Sequence, residues 1–313
     1  MKNKTIAIIG SPGCGKTSNA VKLALSLAKF NQNVAIVLLE RAVPPIPYIL
    51  STFKEQTVSL GDLLTRPVLS QKEIAQSCME VPRHKHITVL GYQFGDWHDK
   101  YPKMVFERVY DFFYQLKSLV PYVIIDCSSL IEVDPASILA LEEADFILRF
   151  GSADLKGMSY FHTLDKLMIN QQTFPREKQL TLVSNCSAGQ NWQRVASVYG
   201  NVFDVLPHCP DLAYQFDEMS LWSDLTSREG LKYMDVMNRL TNRITGSIKT
   251  KEIFTEVKYE RDEERKAEKK NGLFKPLHSI IKAALPGDNP SSKKEPKDKG
   301  KKKKSEINKN GEW

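Results

Sequence analysis

Apolar residues recur along this chain in two rhythms. Runs rich in apolar residues stand at Thr5–Gly10, Val34–Glu40, His86–Gln93, Tyr122–Asp126, Phe146–Phe150, Leu180–Ser184 and Asn201–Leu206. A run that is apolar along its whole length predicts a strand buried on both faces. Between these runs the spacing turns helical. A helix from Lys16 puts Ala20, Leu23, Ala24, Leu27 and Ala28 on one side, and others are predicted at Val105–Leu119, Ala136–Glu143, Leu155–Met168 and Lys232–Ile244. The proline-rich Ala42–Ile49 predicts a turn, because proline is excluded from a helix interior. Strands alternating with helices predict an α/β fold: a mostly parallel, doubly wound sheet covered on both faces. No internal repeat is visible.

The pattern changes near residue 248, which divides the chain into a body, 1–248, and a charged C-terminal extension. Residues 249–270 are dense in both charge signs and read as a linker, helical or disordered. Residues 271–287 hold a short amphipathic segment with Leu273, Phe274, Leu277, Ile280, Ile281, Ala284 and Leu285 on one helical face. Residues 288–313 are lysine-rich and almost free of apolar side chains, which predicts disorder. Of 44 Lys/Arg and 37 Asp/Glu, the stretch 249–313 holds 19 and 12, leaving 25 of each in 1–248. The excess of +7 therefore belongs to the extension, and overall basicity is no argument that the body binds nucleic acid.

Composition adds limits. No apolar run approaches the ~20 residues that span a bilayer. The polar first residues lead directly into a strand, which predicts no secretory signal. Five cysteines (Cys14, Cys78, Cys127, Cys186, Cys209) form no C-x-x-C pair, and their odd number fits reduced thiols in a cytoplasm.

The junction of the first strand and helix carries the chemistry. Gly10-Ser11-Pro12-Gly13-Cys14-Gly15-Lys16-Thr17 fits G-x-x-x-x-G-K-[ST], with Ser18 following. Glycines let successive N–H groups turn toward phosphate oxygens, and the helix N-terminus adds its dipole. Lys16 is expected on the β- and γ-phosphates and Thr17 on Mg²⁺. Asp126 ends a buried strand. It either caps a turn or, in a chain with this loop, holds the Mg²⁺ shell. After Leu180–Ser184 comes Ser184-Asn185-Cys186-Ser187, without the N-K-x-D or T-K-x-D box that reads guanine, so ATP is the expected nucleotide. Asn185 is either a turn residue or an adenine contact.

The order of these pieces resembles the MinD/ParA branch of P-loop ATPases. YVIIDCSS (Tyr122–Ser129) resembles that branch's Walker B strand, and ALEEADFILRFGSADLKGMSYFHTLDKL (Ala140–Leu167) the helix–strand–helix that follows. LVSN (Leu182–Asn185) resembles its adenine-contacting strand end, and VLPHCPDL (Val205–Leu212) a late segment that closes over the base, with Pro207 among the binding residues. With YVIIDCSS, ILRFGSADLKGMSY and LPHCPDL in one chain, it looks within the branch most like TadZ/CpaE-like, pilus-associated ATPases of Firmicutes. The resemblance implies a cytoplasmic ATPase that dimerises around ATP and organises a location for a pilus or secretion apparatus.

Two positions depart from that pattern. The branch places a second lysine directly after the first loop glycine, where this chain has Ser11. It also places Asp-x-Asp after the second strand, where this chain has Glu40-Arg41-Ala42. Glu40 stands for the first carboxylate, and Ala42 replaces the aspartate that positions the attacking water. Lys16, Asp126 and Glu40 remain as candidate catalytic residues, and slow hydrolysis is the expectation. Arg41 offers a partial substitute whose direction the sequence does not give.

The apolar face at 273–285 together with the Lys tail is a two-signal pattern for anionic membrane, at the inner face of the cell membrane. Docking on a partner, docking on the chain's own body, and a purely solubilising tail are the other readings. The rival function is a partition ATPase that binds DNA non-specifically, for which a neutral body is a poor surface. His84, His86 and His98 read as surface or loop histidines, and Trp97 as a loop residue.

Overall fold

The computed structural model describes residues 3–51, 58–169 and 176–246. Eight strands form one sheet: β1 (Lys4–Gly10), β2 (Val34–Leu38), β3 (Met79–Glu80), β4 (Ile87–Gly91), β5 (Tyr122–Asp126), β6 (Phe146–Ser152), β7 (Gln179–Cys186) and β8 (Val202–Pro207). Their order is β3-β4-β2-β5-β1-β6-β7-β8, and every pairing is parallel except β3 with β4. The predicted parallel sheet is therefore present, with a two-residue antiparallel edge that the sequence pattern did not signal.

Alternate strand residues explain why the runs are continuously apolar. Ile6, Ile8, Ile36, Ile124, Leu148 and Leu182 join one core with Leu23 and Leu27 of α1 (Lys16–Ala28) and Val236 and Leu240 of α10 (Arg228–Thr245). The residues between them, Ala7, Ile9, Val37, Val123, Ile125 and Ile147, are equally buried, so the opposite face is covered too. There α5 (Phe106–Leu119) packs on β5 and on α6 (Pro135–Glu143), and α7 (Leu155–Ile169) on β6 and on α8 (Trp192–Tyr199).

Several short helices escaped the periodicity. Within Ala42–Ile49, residues Ile46–Ile49 close one helical turn, α2, with its prolines confined to the N-terminal end where no donor is lost. The turns α3 (Leu60–Thr65) and α4 (Gln71–Ser77) begin at capping boxes formed by Ser59 with Asp62 and Ser70 with Glu73. Pro210–Asp217 forms α9, beside the carboxyl end of β8. The closing helix starts four residues earlier than its apolar spacing predicts, at the Ser227 cap, whose side chain accepts from Gly230 N. The linker 249–270, the amphipathic segment 271–287 and the tail 288–313 lie outside the described residues.

Candidate nucleotide-binding site

Register places the site. Asp126 pairs with Ile8 of β1 on one side and with Leu38 of β2 on the other, and Gly10 pairs with Phe150 of β6. The ends of β1, β2, β5 and β6 thus meet at the carboxyl edge of the sheet, where open α/β sheets bind ligands.

The loop between β1 and α1 has the geometry its glycines suggested. Gly13 and Gly15 lie at φ 76° and 86°, in the left-handed region. Gly10 is required for a different reason: a Cβ there would sit 2.4 Å from the Phe150 carbonyl oxygen and 2.6 Å from Cys14 Sγ. Ser184 Oγ donates to the Cys14 carbonyl at 2.7 Å and ties the loop to β7. Cys14 is buried, and burial pushes its thiol up to about 11, so it stays protonated.

At the phosphate end, Lys16 Nζ donates to Ser129 Oγ at 2.8 Å, and Thr17 Oγ1 donates to Asp126 Oδ2 at 2.5 Å. Asp126 is 1% exposed, and its Oδ1 has no hydrogen-bond partner among the described residues. Burial pushes its carboxyl up to about 6, against the lowering pull of Lys16 and the Thr17 hydroxyl. A hydroxyl beside a carboxylate with a buried, unpaired oxygen is a donor set that fits Mg²⁺ or a water in its shell.

Glu40 is more tied than its sequence role implied. One oxygen accepts from Ser129 N and the other from Ala42 N, both at 3.2 Å, so its carboxylate staples the end of β2 to the loop after β5. Arg41 turns away: its guanidinium lies over the Tyr92 ring at 5.4 Å, and it does not line the cavity.

A cavity of about 750 Å³ gathers most of the sequence candidates. Pro12, Gly13, Cys14, Gly15, Lys16, Thr17, Ser18, Glu40, Asp126, Asn185 and Pro207 line it, as does Ala42. Gly10 and Ser11 are buried and do not line it. Residues that sequence reasoning missed complete the wall: Tyr48 from α2, Ser129, His208, Phe216 from α9 and Tyr233 from α10. Asn185 has φ 56° and its Oδ1 lies 2.7 Å from His208 Nδ1. The Tyr48 and Phe216 rings meet edge-on at 5.2 Å, and Tyr233 OH donates to Asn19 Oδ1.

One buried cation holds this wall. Lys22 of α1, 1% exposed, donates to Gln215 Oε1, Leu221 O and Ser223 O, each at 2.7 Å. Burial lowers its ammonium to about 8, and the three acceptors satisfy all its donors while it is charged.

The other singled-out residues lie apart. Trp97 is 69% exposed, in a loop pinned by Asp96, which accepts from Gln93 N, Lys100 Nζ, Tyr101 OH and Ser59 Oγ. His84 meets the Trp222 ring, and His86 Nδ1 lies 2.9 Å from Asn33 Oδ1. All five cysteines are free. Among the described residues no helix is long and apolar enough to cross a membrane.

No family model and no curated sequence matches the chain. Solved structures do. A ParA family ATPase from Chlorobium tepidum TLS superposes with TM-score 0.63 at 16% identity, over 76% of this chain and 98% of that one. MinD from Pyrococcus horikoshii OT3, complexed with Mg-ADP, gives 0.61 at 12% identity over 78% and 98%. A Cyanothece McdA variant complexed with ATP gives 0.58 at 17% identity over 80% and 98%. At such identities the likeness is one of architecture: the chain has the fold of ParA and MinD ATPases.

Proposed function

We propose that the chain is an ATP-binding switch with slow intrinsic hydrolysis, acting as a localisation or assembly factor. The observation that carries this reading is the Thr17–Asp126 pair with its unpaired Oδ1, at a phosphate loop whose neighbouring wall offers the methyl of Ala42 where an acidic group would orient water. Mg²⁺ held there would supply positive charge to neutralise the phosphates. The chain's own groups do the rest. Loop amides and Lys16 hold the phosphates, Thr17 and Asp126 hold the metal shell, and Asn185 and Pro207 border the base.

The resemblance to TadZ/CpaE-like ATPases supports a pilus or secretion apparatus as the machinery served, with an ATP-dependent homodimer as the active form. The segment 273–285 and the Lys tail fit reversible contact with an anionic membrane from the cytoplasmic side. The rival, a DNA-binding partition ATPase, would have to rely on that same tail, since the body carries no formal net charge.

The test is size-exclusion chromatography and phosphate release with Mg²⁺ and ATP, on wild type and Lys16→Ala. We expect an ATP-dependent shift in wild type alone and turnover below about one per second. Identical elution of both proteins in both conditions would sink the switch. Efficient turnover would sink the slow-hydrolysis claim.

A further inference from the structure

We propose that His208 is a specificity-determining residue for base recognition in this cavity: its Nδ1 fixes the Asn185 amide and its Nε2 offers an acceptor, so that the pair selects adenine over guanine. The assignment rests on the nucleotide-binding reading above and concerns which base that site takes.

Three observations carry it. Asn185 and His208 are 23 residues apart, yet β7 and β8 clamp them together: Cys186 pairs with Pro207, and His208 N donates to the Cys186 carbonyl at 2.8 Å. Asn185 sits in the left-handed region at φ 56°, a conformation asparagine tolerates better than most residues. Its side-chain oxygen lies 2.7 Å from His208 Nδ1, and both residues line the cavity beside Leu212, Ala213 and Phe216.

The chemistry follows from donor and acceptor inventories. An amide oxygen only accepts, so Nδ1 carries the proton and donates to it. With Oδ1 engaged, Asn185 presents its two N–H donors. In the neutral ring Nε2 is then a lone-pair acceptor, and it makes no hydrogen bond among the described residues. One stretch of wall thus offers donors and an acceptor side by side. Adenine presents the complement, an N7 acceptor next to a 6-amino donor, whereas guanine presents two acceptors, N7 and O6. The apolar side chains of Leu212 and Phe216 suit the face of either base, so they do not discriminate.

Calorimetric titration of the full chain with ATP or GTP, each with Mg²⁺, tests this through the ratio of the two affinities. His208→Ala removes both ring nitrogens and should cut the preference for ATP about tenfold, the size of one hydrogen bond. His208→Asn keeps an amide donor near Nδ1 but no acceptor near Nε2, and should lower the preference in the same way. A folded His208→Ala or His208→Asn protein with the wild-type ratio would overturn the assignment. Lys16→Ala separates the two levels of the claim. Wild type that binds neither nucleotide overturns the nucleotide site and this assignment together. Wild type that binds ATP, with Lys16→Ala losing it and the His208 variants unchanged, overturns the assignment alone.

Discussion

The Thr17 hydroxyl donates to one oxygen of Asp126 at 2.5 Å, while the other oxygen of that carboxylate is buried without a partner. Two residues 109 apart in sequence therefore share one proton-sensitive point. The consequence for stability has a definite sign. Asp126 is pushed up to about 6 from an ordinary 3.8, so between these values the folded chain keeps a proton that the unfolded chain has released. Stability contributed this way is present at low pH and lost as pH rises through about 6. Its size is on the order of 3 kcal/mol. The urea midpoint of the nucleotide-free chain should fall between pH 4 and 6, and Asp126→Asn should flatten that slope. Adding Mg²⁺ and ATP at pH 7 should recover stability in wild type and not in the variant.

Ala42 lines the cavity, at the position where the resemblance to MinD/ParA ATPases implies a water-positioning aspartate. Ala42→Asp should raise phosphate release about tenfold or more over wild type, a modest share of what a positioned carboxylate contributes in enzymes. Unchanged turnover in a folded variant that binds ATP would show that the missing carboxylate is not what limits the rate.

Ser11 tests the other departure and should answer differently. The side chain is 2% exposed and its hydroxyl has no hydrogen-bond partner among the described residues. A lysine placed there would bury an ammonium, so Ser11→Lys should destabilise the fold by about 3 kcal/mol or more and lower nucleotide affinity. Thermal melts with and without ATP read both effects. A stable, faster enzyme would mean that the loop rearranges to release the side chain.

Lys22→Met keeps the length and apolar stem of the side chain but strands Gln215 Oε1 and two backbone carbonyls. The expected cost is about 2–4 kcal/mol, because three acceptors lose their donor while one desolvated charge is relieved. Hydrogen exchange should quicken in α9 before it does in β1 or β5.

Strand cores were readable because a strand buried on both faces leaves an unbroken apolar run, as at Tyr122–Asp126. Most of the cavity was readable too, since glycines at Gly13 and Gly15 have few structural alternatives. What escaped was local and short. A four-residue turn such as Ile46–Ile49 carries no period, and the Ser-x-x-Asp and Ser-x-x-Glu boxes at Ser59 and Ser70, which cap two helices, went unread. Tyr48 and Tyr233 escaped for another reason. Each reaches the site through tertiary packing, and no local spacing ties them to Lys16, whereas His208 stood unremarked beside Pro207 in the segment expected over the base. Arg41 could be placed only by seeing that Tyr92 lies beside it.

Lys22 leaves the pocket little freedom to close. The α9 side of the cavity and helix α1 are fastened by one ammonium in three grips. Rigidity of this kind lowers the ordering cost of binding and also mutes the signal that binding can send through α9. Any message that ATP is present has to leave by the other side. There the Glu40 carboxylate joins the chain after β2 to the chain after β5 through one hydrogen bond, from Ser129 N, while its other oxygen accepts from Ala42 N on its own side.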